Sequence, residues 1–122
     1  MQPKIGVSAP TQNYILAAQD TGFFTLLRLE SEPASVSNGF FNQLSMINKM
    51  EMLENDVDDP NYQFVVGTNN GVATLLINKM SLTMTLARDT FLAGKVVNNL
   101  LMRGKYVIAF VHDDAKFYLI DR

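Results

Sequence analysis

The sequence predicts an all-β chain of short antiparallel strands, and three observations carry that reading. Apolar runs rich in β-branched and aromatic residues recur along the chain, punctuated by small polar residues. Ser81–Ala87 alternates with period two, with Leu82, Met84 and Leu86 on one side and Ser81, Thr83 and Thr85 on the other. Tyr62–Asn78, YQFVVGTNNGVATLLIN, reads as two apolar strands about an Asn-Gly turn, the strongest short-range hairpin signal.

Taken in order, residues 1–13 are rich in Pro, Ser, Thr and Gln, and Pro3 and Pro10 limit any strand at Ile5-Gly6-Val7. Tyr14–Ala18 and Phe23–Leu29 are strands joined by the turn Gln19–Gly22, and the polar stretch Glu30–Gly39 carries a short edge strand around Ala34–Val36. Phe40–Ile47 satisfies the helix and strand templates alike. Lys49–Glu54 are good helix formers, read here as the local preference of an insertion, Asn48–Asn61, rather than as a main element. After the central hairpin, Val96–Met102, Tyr106–Val111 and Ala115–Ile120 are short strands turning at Arg103-Gly104-Lys105 and His112-Asp113-Asp114.

Bulk properties bound the function. The 122 residues make one domain at most, and 48% hydrophobic with 18% charged residues describe an ordinary globular chain. A net charge of −2 with scattered Lys and Arg gives no case for nucleic acid or an anionic membrane surface. With no cysteine there is no disulfide, thiolate metal site or Cys nucleophile. No apolar run approaches a membrane-spanning length, and MQPKIGVSAPTQ has no signal-peptide core. A soluble intracellular protein, in cytoplasm or nucleus, is expected.

Three hairpins match one another: YILAAQDTGFFTLLRL from Tyr14, YQFVVGTNNGVATLLIN from Tyr62 and YVIAFVHDDAKFYLIDR from Tyr106, their tyrosines 48 and 44 positions apart. Phe41-Asn42-Gln43-Leu44 is matched to Val97-Asn98-Asn99-Leu100 as the strand preceding each hairpin. A period near this length, with four short strands per unit, is the signature of propeller blades, each a small sheet that gains a core only by stacking on its neighbours. The expected fold is therefore antiparallel four-stranded propeller-like blades, in units of about 1–39, 40–95 and 96–122. The phase gives about two and a half blades where a closed ring needs at least about four, so further chain or further copies are expected to complete it.

Val97–Arg122 resembles a degenerate WD40-type blade. Gly104-Lys105-Tyr106 fits the family's first turn, Asp113-Asp114 its second, and Ile120-Asp121 sits where Trp-Asp stands in the family. The chain has no Trp, and Gly94-Lys95 stands where Gly-His is common. The resemblance implies a non-catalytic scaffold for protein–protein interaction, with no cofactor or metal. It places the turns at Asp20 and Thr21, Asn69 and Asn70, and His112, Asp113 and Asp114 on one binding rim, with the Asn48–Asn61 insertion on the opposite rim.

Catalytic readings are weaker than the ordinary ones. His112-Asp113-Asp114 is the one place where His adjoins carboxylates, but adjacent residues diverge and Asp is common in turns. Asp56-Val57-Asp58-Asp59 lacks the Gly and Glu of a calcium loop, and Gly67–Gly71 lacks the Lys of a phosphate loop. Met50 and Met52, in the insertion, are the methionines expected to serve a plastic binding surface rather than the core. The alternative is a compact β-barrel that binds a small molecule or acts as a hydrolase, with Asn42, Asn98, Asn99 and His112 converging on its interior.

Overall fold

The computed structural model describes residues 7–10, 14–19, 22–28, 34–53, 57–88, 90–104, 106–112 and 117–121. These form eleven strands: β1 (Val7–Pro10), β2 (Tyr14–Ala18), β3 (Phe23–Arg28), β4 (Ala34–Phe40), β5 (Ile47–Met52), β6 (Asn61–Thr68), β7 (Gly71–Asn78), β8 (Met84–Leu86), β9 (Val97–Arg103), β10 (Tyr106–Val111) and β11 (Phe117–Asp121). They make three open antiparallel sheets, each a simple meander: β1-β2-β3-β4, β5-β6-β7-β8 and β9-β10-β11. The all-β expectation holds among the described residues, and the described strands do not close into one barrel.

The sheets stack in chain order. β5 lies against both β1 and β9, and β4 lies against β8. Alternation along β6 and β7 sends side chains to both faces of the second sheet. Phe64, Val66, Leu75 and Ile77 meet Leu16, Ala18, Phe24 and Leu26 of the first sheet. Val65 and Val72 meet Val97, Leu100, Val107, Ala109 and Ile120 of the third. This two-sided burial explains why Tyr62–Val66 and Val72–Ile77 read as continuous apolar runs. Each fully buried large side chain contributes about 1.5–3 kcal/mol, more than the roughly 1 kcal/mol of a typical hydrogen bond, so the two interfaces dominate the stability.

Two glycines allow close approach between elements. A Cβ on Gly67 would lie 3.0 Å from Val97 Cγ1, where β9 packs on β6. One on Gly39 would lie 2.8 Å from Met84 Sδ, where β4 meets β8. The Ser37 hydroxyl also donates to the Leu82 carbonyl at 2.6 Å, joining the outer edges of the first two sheets.

Several sequence expectations are corrected. Lys49–Met52 lies within β5, the first strand of the second sheet, paired with β6 from Met52↔Phe64 to Ile47↔Thr68. Helix propensity is a weak term here, overridden by ladder bonds and by burial of Ile47 and Met50. The inserted segment is thus the shorter connection between Met52 and Asn61. Met50 is core and Met52 packs against it, so neither belongs to an exposed binding surface.

Phe41–Leu44 is not a strand but part of the connection leading to β5. The stretch that occupies the place of Val97-Asn98-Asn99-Leu100 is Ile47-Asn48-Lys49-Met50, 50 positions earlier. Both stretches carry a register shift at their Asn, opposite Gly67-Thr68 in one sheet and Phe110-Val111 in the other. Residues 7–10 form a paired strand despite Pro10, so the first sheet has four strands.

The edge strand expected at Ala34–Val36 runs on to Phe40. The expected strand Ser81–Ala87 is shorter, Met84–Leu86, because the Asn78 side chain accepts from the Met80 and Ser81 amides at 2.9 Å and holds a turn. Leu82 closes that turn with φ 61°. The predicted facing survives: Leu82, Met84 and Leu86 pack on the core, while Ser81, Thr83 and Thr85 are exposed.

Thr74 is fully buried, and its hydroxyl has no hydrogen-bond partner. Thr74→Val removes that unmet polar group while keeping the shape. It is expected to raise stability by about 1 kcal/mol, read as a higher urea midpoint at unchanged slope.

Candidate functional site

The β6–β7 turn and the connections crossing it form a polar region tied together by hydrogen bonds. β6 and β7 stay paired to Thr68↔Gly71, leaving Asn69-Asn70 as a two-residue turn. Positive φ falls on Gly71, at 90°, and not on Asn70. The chain from Phe91 to Lys95 runs directly over this point: Gly71 N–H donates to Lys95 O at 2.7 Å, and Val72 and Phe91 exchange backbone bonds at 2.8 and 3.0 Å. A Cβ on Gly71 would stand 2.3 Å from Phe91 O, so both conformation and contact require glycine. The first sheet repeats the arrangement. Gly22 has φ 69° and accepts from Phe41 N–H at 2.8 Å.

Side chains tie the turn down further. Thr68 Oγ1 donates to Gly71 O at 2.9 Å and accepts from Asn70 N–H at 3.0 Å. Asn70 Oδ1 accepts from Gly94 N–H at 2.6 Å. The Asn48 amide, at the β5 bulge, donates to Asn69 Oδ1 at 2.8 Å and to Val97 O at 2.9 Å. One side chain therefore links the second sheet's turn to the third sheet's first strand.

Between these connections lies a cleft of about 390 Å³. Gln43, Leu44 and Ser45 come from the β4–β5 connection, Thr68 and Asn70 from the turn, and Arg88 and Thr90 from the β8–β9 connection. Arg88 is exposed, and the buried Ser45 hydroxyl has no hydrogen-bond partner. Among the described residues the cleft thus offers the Arg88 cation and the amide groups of Gln43 and Asn70 over an apolar floor that includes Leu86.

Of the residues expected on a binding rim, Asn70 lines this cleft, while Asn69 is engaged by Asn48. His112 is exposed at the end of β10, with its N–H bonded to Val96 O at 2.8 Å. Asp20, Thr21, Asp113 and Asp114 lie outside the described residues. Asn42, Asn98, Asn99 and His112 are all exposed. Asn98 and Asn99 lie on β9 of the open third sheet, His112 follows β10 of that sheet and Asn42 lies on the β4–β5 connection, so among the described residues no barrel interior gathers them. Sequence reading missed Gln43, Ser45 and Arg88. They stand on irregular connections with no motif spacing, and only the crossing of those connections brings them together.

Among the described residues no group of three His, Asp or Glu side chains could hold a metal ion, and no helix is long and apolar enough to cross a membrane. Comparison with protein-family models and with curated proteins found no match.

The acidic insertion has a structural task at the other end of β6. Asp59 accepts from Asn61 N–H at 2.9 Å and from the Gln63 amide at 2.6 Å. The bond from the Asn61 backbone, then that from Gln63, holds its carboxyl below the ordinary aspartate value, with burial opposing and Lys79 assisting.

Two outcomes follow from this geometry. Asn48→Ala is expected to cost about 1–2 kcal/mol, because it leaves Asn69 and Val97 O without their donor. Asn42→Ala, at an exposed turn position, should stay within about 0.5 kcal/mol, both by urea unfolding. Because the folded-state pKa of Asp59 is depressed, its stabilisation is present above the unfolded value and fades as acid titrates the folded carboxyl. The stability gap between the native chain and Asp59→Asn should therefore shrink between about pH 5 and pH 2, followed by thermal melts.

Proposed function

We propose that the chain is a portion of a β-propeller acting as a non-catalytic scaffold, and that it receives a peptide segment of a protein partner in the cleft beside the Asn69-Asn70 turn. Three features support the propeller reading. Each sheet is a meander in chain order, the first strands β1, β5 and β9 lie side by side, and the outer strands β4 and β8 adjoin. The resemblance of Val97–Arg122 to a WD40-type blade points the same way.

The single observation that carries the functional reading is the cleft itself. Among the described residues its polar groups are amides, hydroxyls and the Arg88 guanidinium, which suit peptide carbonyls and acidic side chains. Among the described lining residues there is no histidine to act as a base, His112 lying elsewhere.

The test is binding to an immobilised library of short peptides, comparing the native chain with Arg88→Glu and with Arg28→Glu, which makes the same charge change on β3. Retention of acidic peptides should fall at least about tenfold for Arg88→Glu and persist for Arg28→Glu. Equal retention by all three would remove the cleft from the reading.

A further inference from the structure

The ladder registers relate the three sheets position by position. In the second sheet Lys49 pairs with Gly67 beyond the Asn48 bulge, and in the third Asn99 pairs with Phe110 beyond the Asn98 bulge. Gly67 and Val65 therefore correspond to Phe110 and Ile108. Their partners across the hairpin, Val72 and Thr74, correspond to Phe117 and Leu119. The same patch in the first sheet is Leu16, Ala18, Phe24 and Leu26, paired as Leu16↔Leu26 and Ala18↔Phe24.

In the first two sheets this patch is covered by the next sheet. Phe24 is 0% exposed and Val72 1%. In the third sheet the same positions are open: Phe117 is 65% exposed, Leu119 62% and the neighbouring Leu101 49%. An apolar sheet face of this kind is unusual for an isolated chain. The opposite half of the joint, on the outer side of the first sheet, is partly open. Its central pair Ala17 and Thr25 is buried, at 4% and 3% exposed, while the larger side chains around that pair are accessible. Ile15, Phe23 and Leu27 there are partly exposed, and Phe40, which stacks on Phe23 with ring centroids 6.3 Å apart, is 61% exposed. Ile15 and Leu27 stand at the positions of Phe64 and Leu75, the residues with which the second sheet packs on the first.

We propose that the open face of the third sheet docks on the partly open outer face of the first sheet of a second copy of this chain, head to tail, through Ile15, Phe23, Leu27 and Phe40. The occupant is a second copy because the two faces are the separated halves of a sheet-to-sheet joint that the chain already makes twice, so the interface continues an existing stack. Leu101, Ile108, Phe110, Phe117 and Leu119 on one side, and Ile15, Phe23, Leu27 and Phe40 on the other, include no charged residue. A head-to-tail contact grows into a filament unless it closes. With three sheets per chain, two copies supply six, inside the usual range of about four to eight blades. Closure as a dimer rests on the propeller reading above; the head-to-tail contact does not.

Sedimentation at roughly 100 μM should give twice the chain mass. Leu119→Asp and Phe40→Asp each alter an exposed side chain, one on each face. Each variant alone should sediment at one chain mass, with far-UV circular dichroism and a cooperative melt like the native chain's. An equimolar mixture should restore the doubled mass, because Leu119→Asp keeps the first-sheet face, Phe40→Asp keeps the third-sheet face, and one native contact can form between them. A monomeric native chain, two variants that stay associated, or folded variants that fail to pair would each overturn the proposal. Peptide retention that depends on Arg88 would survive that result, so the two readings fail separately.

Discussion

The second sheet is buried on both faces along most of its central hairpin, over residues 64–68 and 71–75, and the rest of the structure depends on that constraint. Phe64, Val66, Leu75 and Ile77 need a cover on one side, and Val65 and Val72 need one on the other. A lone sheet of this size cannot supply both. The first and third sheets do so, and the alternation of β6 and β7 divides one hairpin between two cores. Gly67 then becomes a packing residue, since its missing Cβ lets Val97 and Leu100 approach. Thr74 shows the cost of this arrangement, a hydroxyl carried into an interface that offers it no acceptor.

Packing between sheets also decides where the polar groups go. The β8–β9 connection must pass from the outer edge of one sheet to the first strand of the next, and it crosses the β6–β7 turn on the way. Backbone groups of Gly71, Val72, Phe91 and Lys95 satisfy one another at that crossing. Asn69 and Asn70, which look like free turn residues, are thereby drawn into joints with Asn48 and Gly94. The cleft is the space left beside this crossing, which explains why its lining comes from three separated segments.

The end faces extend the same logic. A sheet whose forward patch is Ile108, Phe110, Phe117 and Leu119 has the composition of an inner sheet while occupying an outer place. An outer sheet of a self-sufficient stack would carry charge there, as edges and faces of soluble sheets ordinarily do. Exposure of Phe117 and Leu119 is therefore informative in a way that the scattered exposure of Val57 or Met80 is not.

Strand identity was legible wherever period and turn chemistry agreed. The hairpins from Tyr14, Tyr62 and Tyr106 and the side-chain facing of Leu82, Met84 and Leu86 follow from alternation and small polar turns, which are local properties of the chain. β5 was not legible in this way. Ile47-Asn48-Lys49-Met50 has helix-forming neighbours, and its bulge at Asn48 breaks the period-two pattern that would have marked a strand. Its relation to Val97–Leu100 appears only once β6 and β10 lock both into the same register. Nor did local pattern indicate which patch of each sheet is covered. The extra residue in the β2–β3 turn shifts the first hairpin's facing by one relative to the second, so Leu26 takes the place of Thr74 rather than of Leu75. Local alternation defines two faces for every strand, and only contact between sheets assigns one face to a core and the other to solvent, a cleft or a second chain.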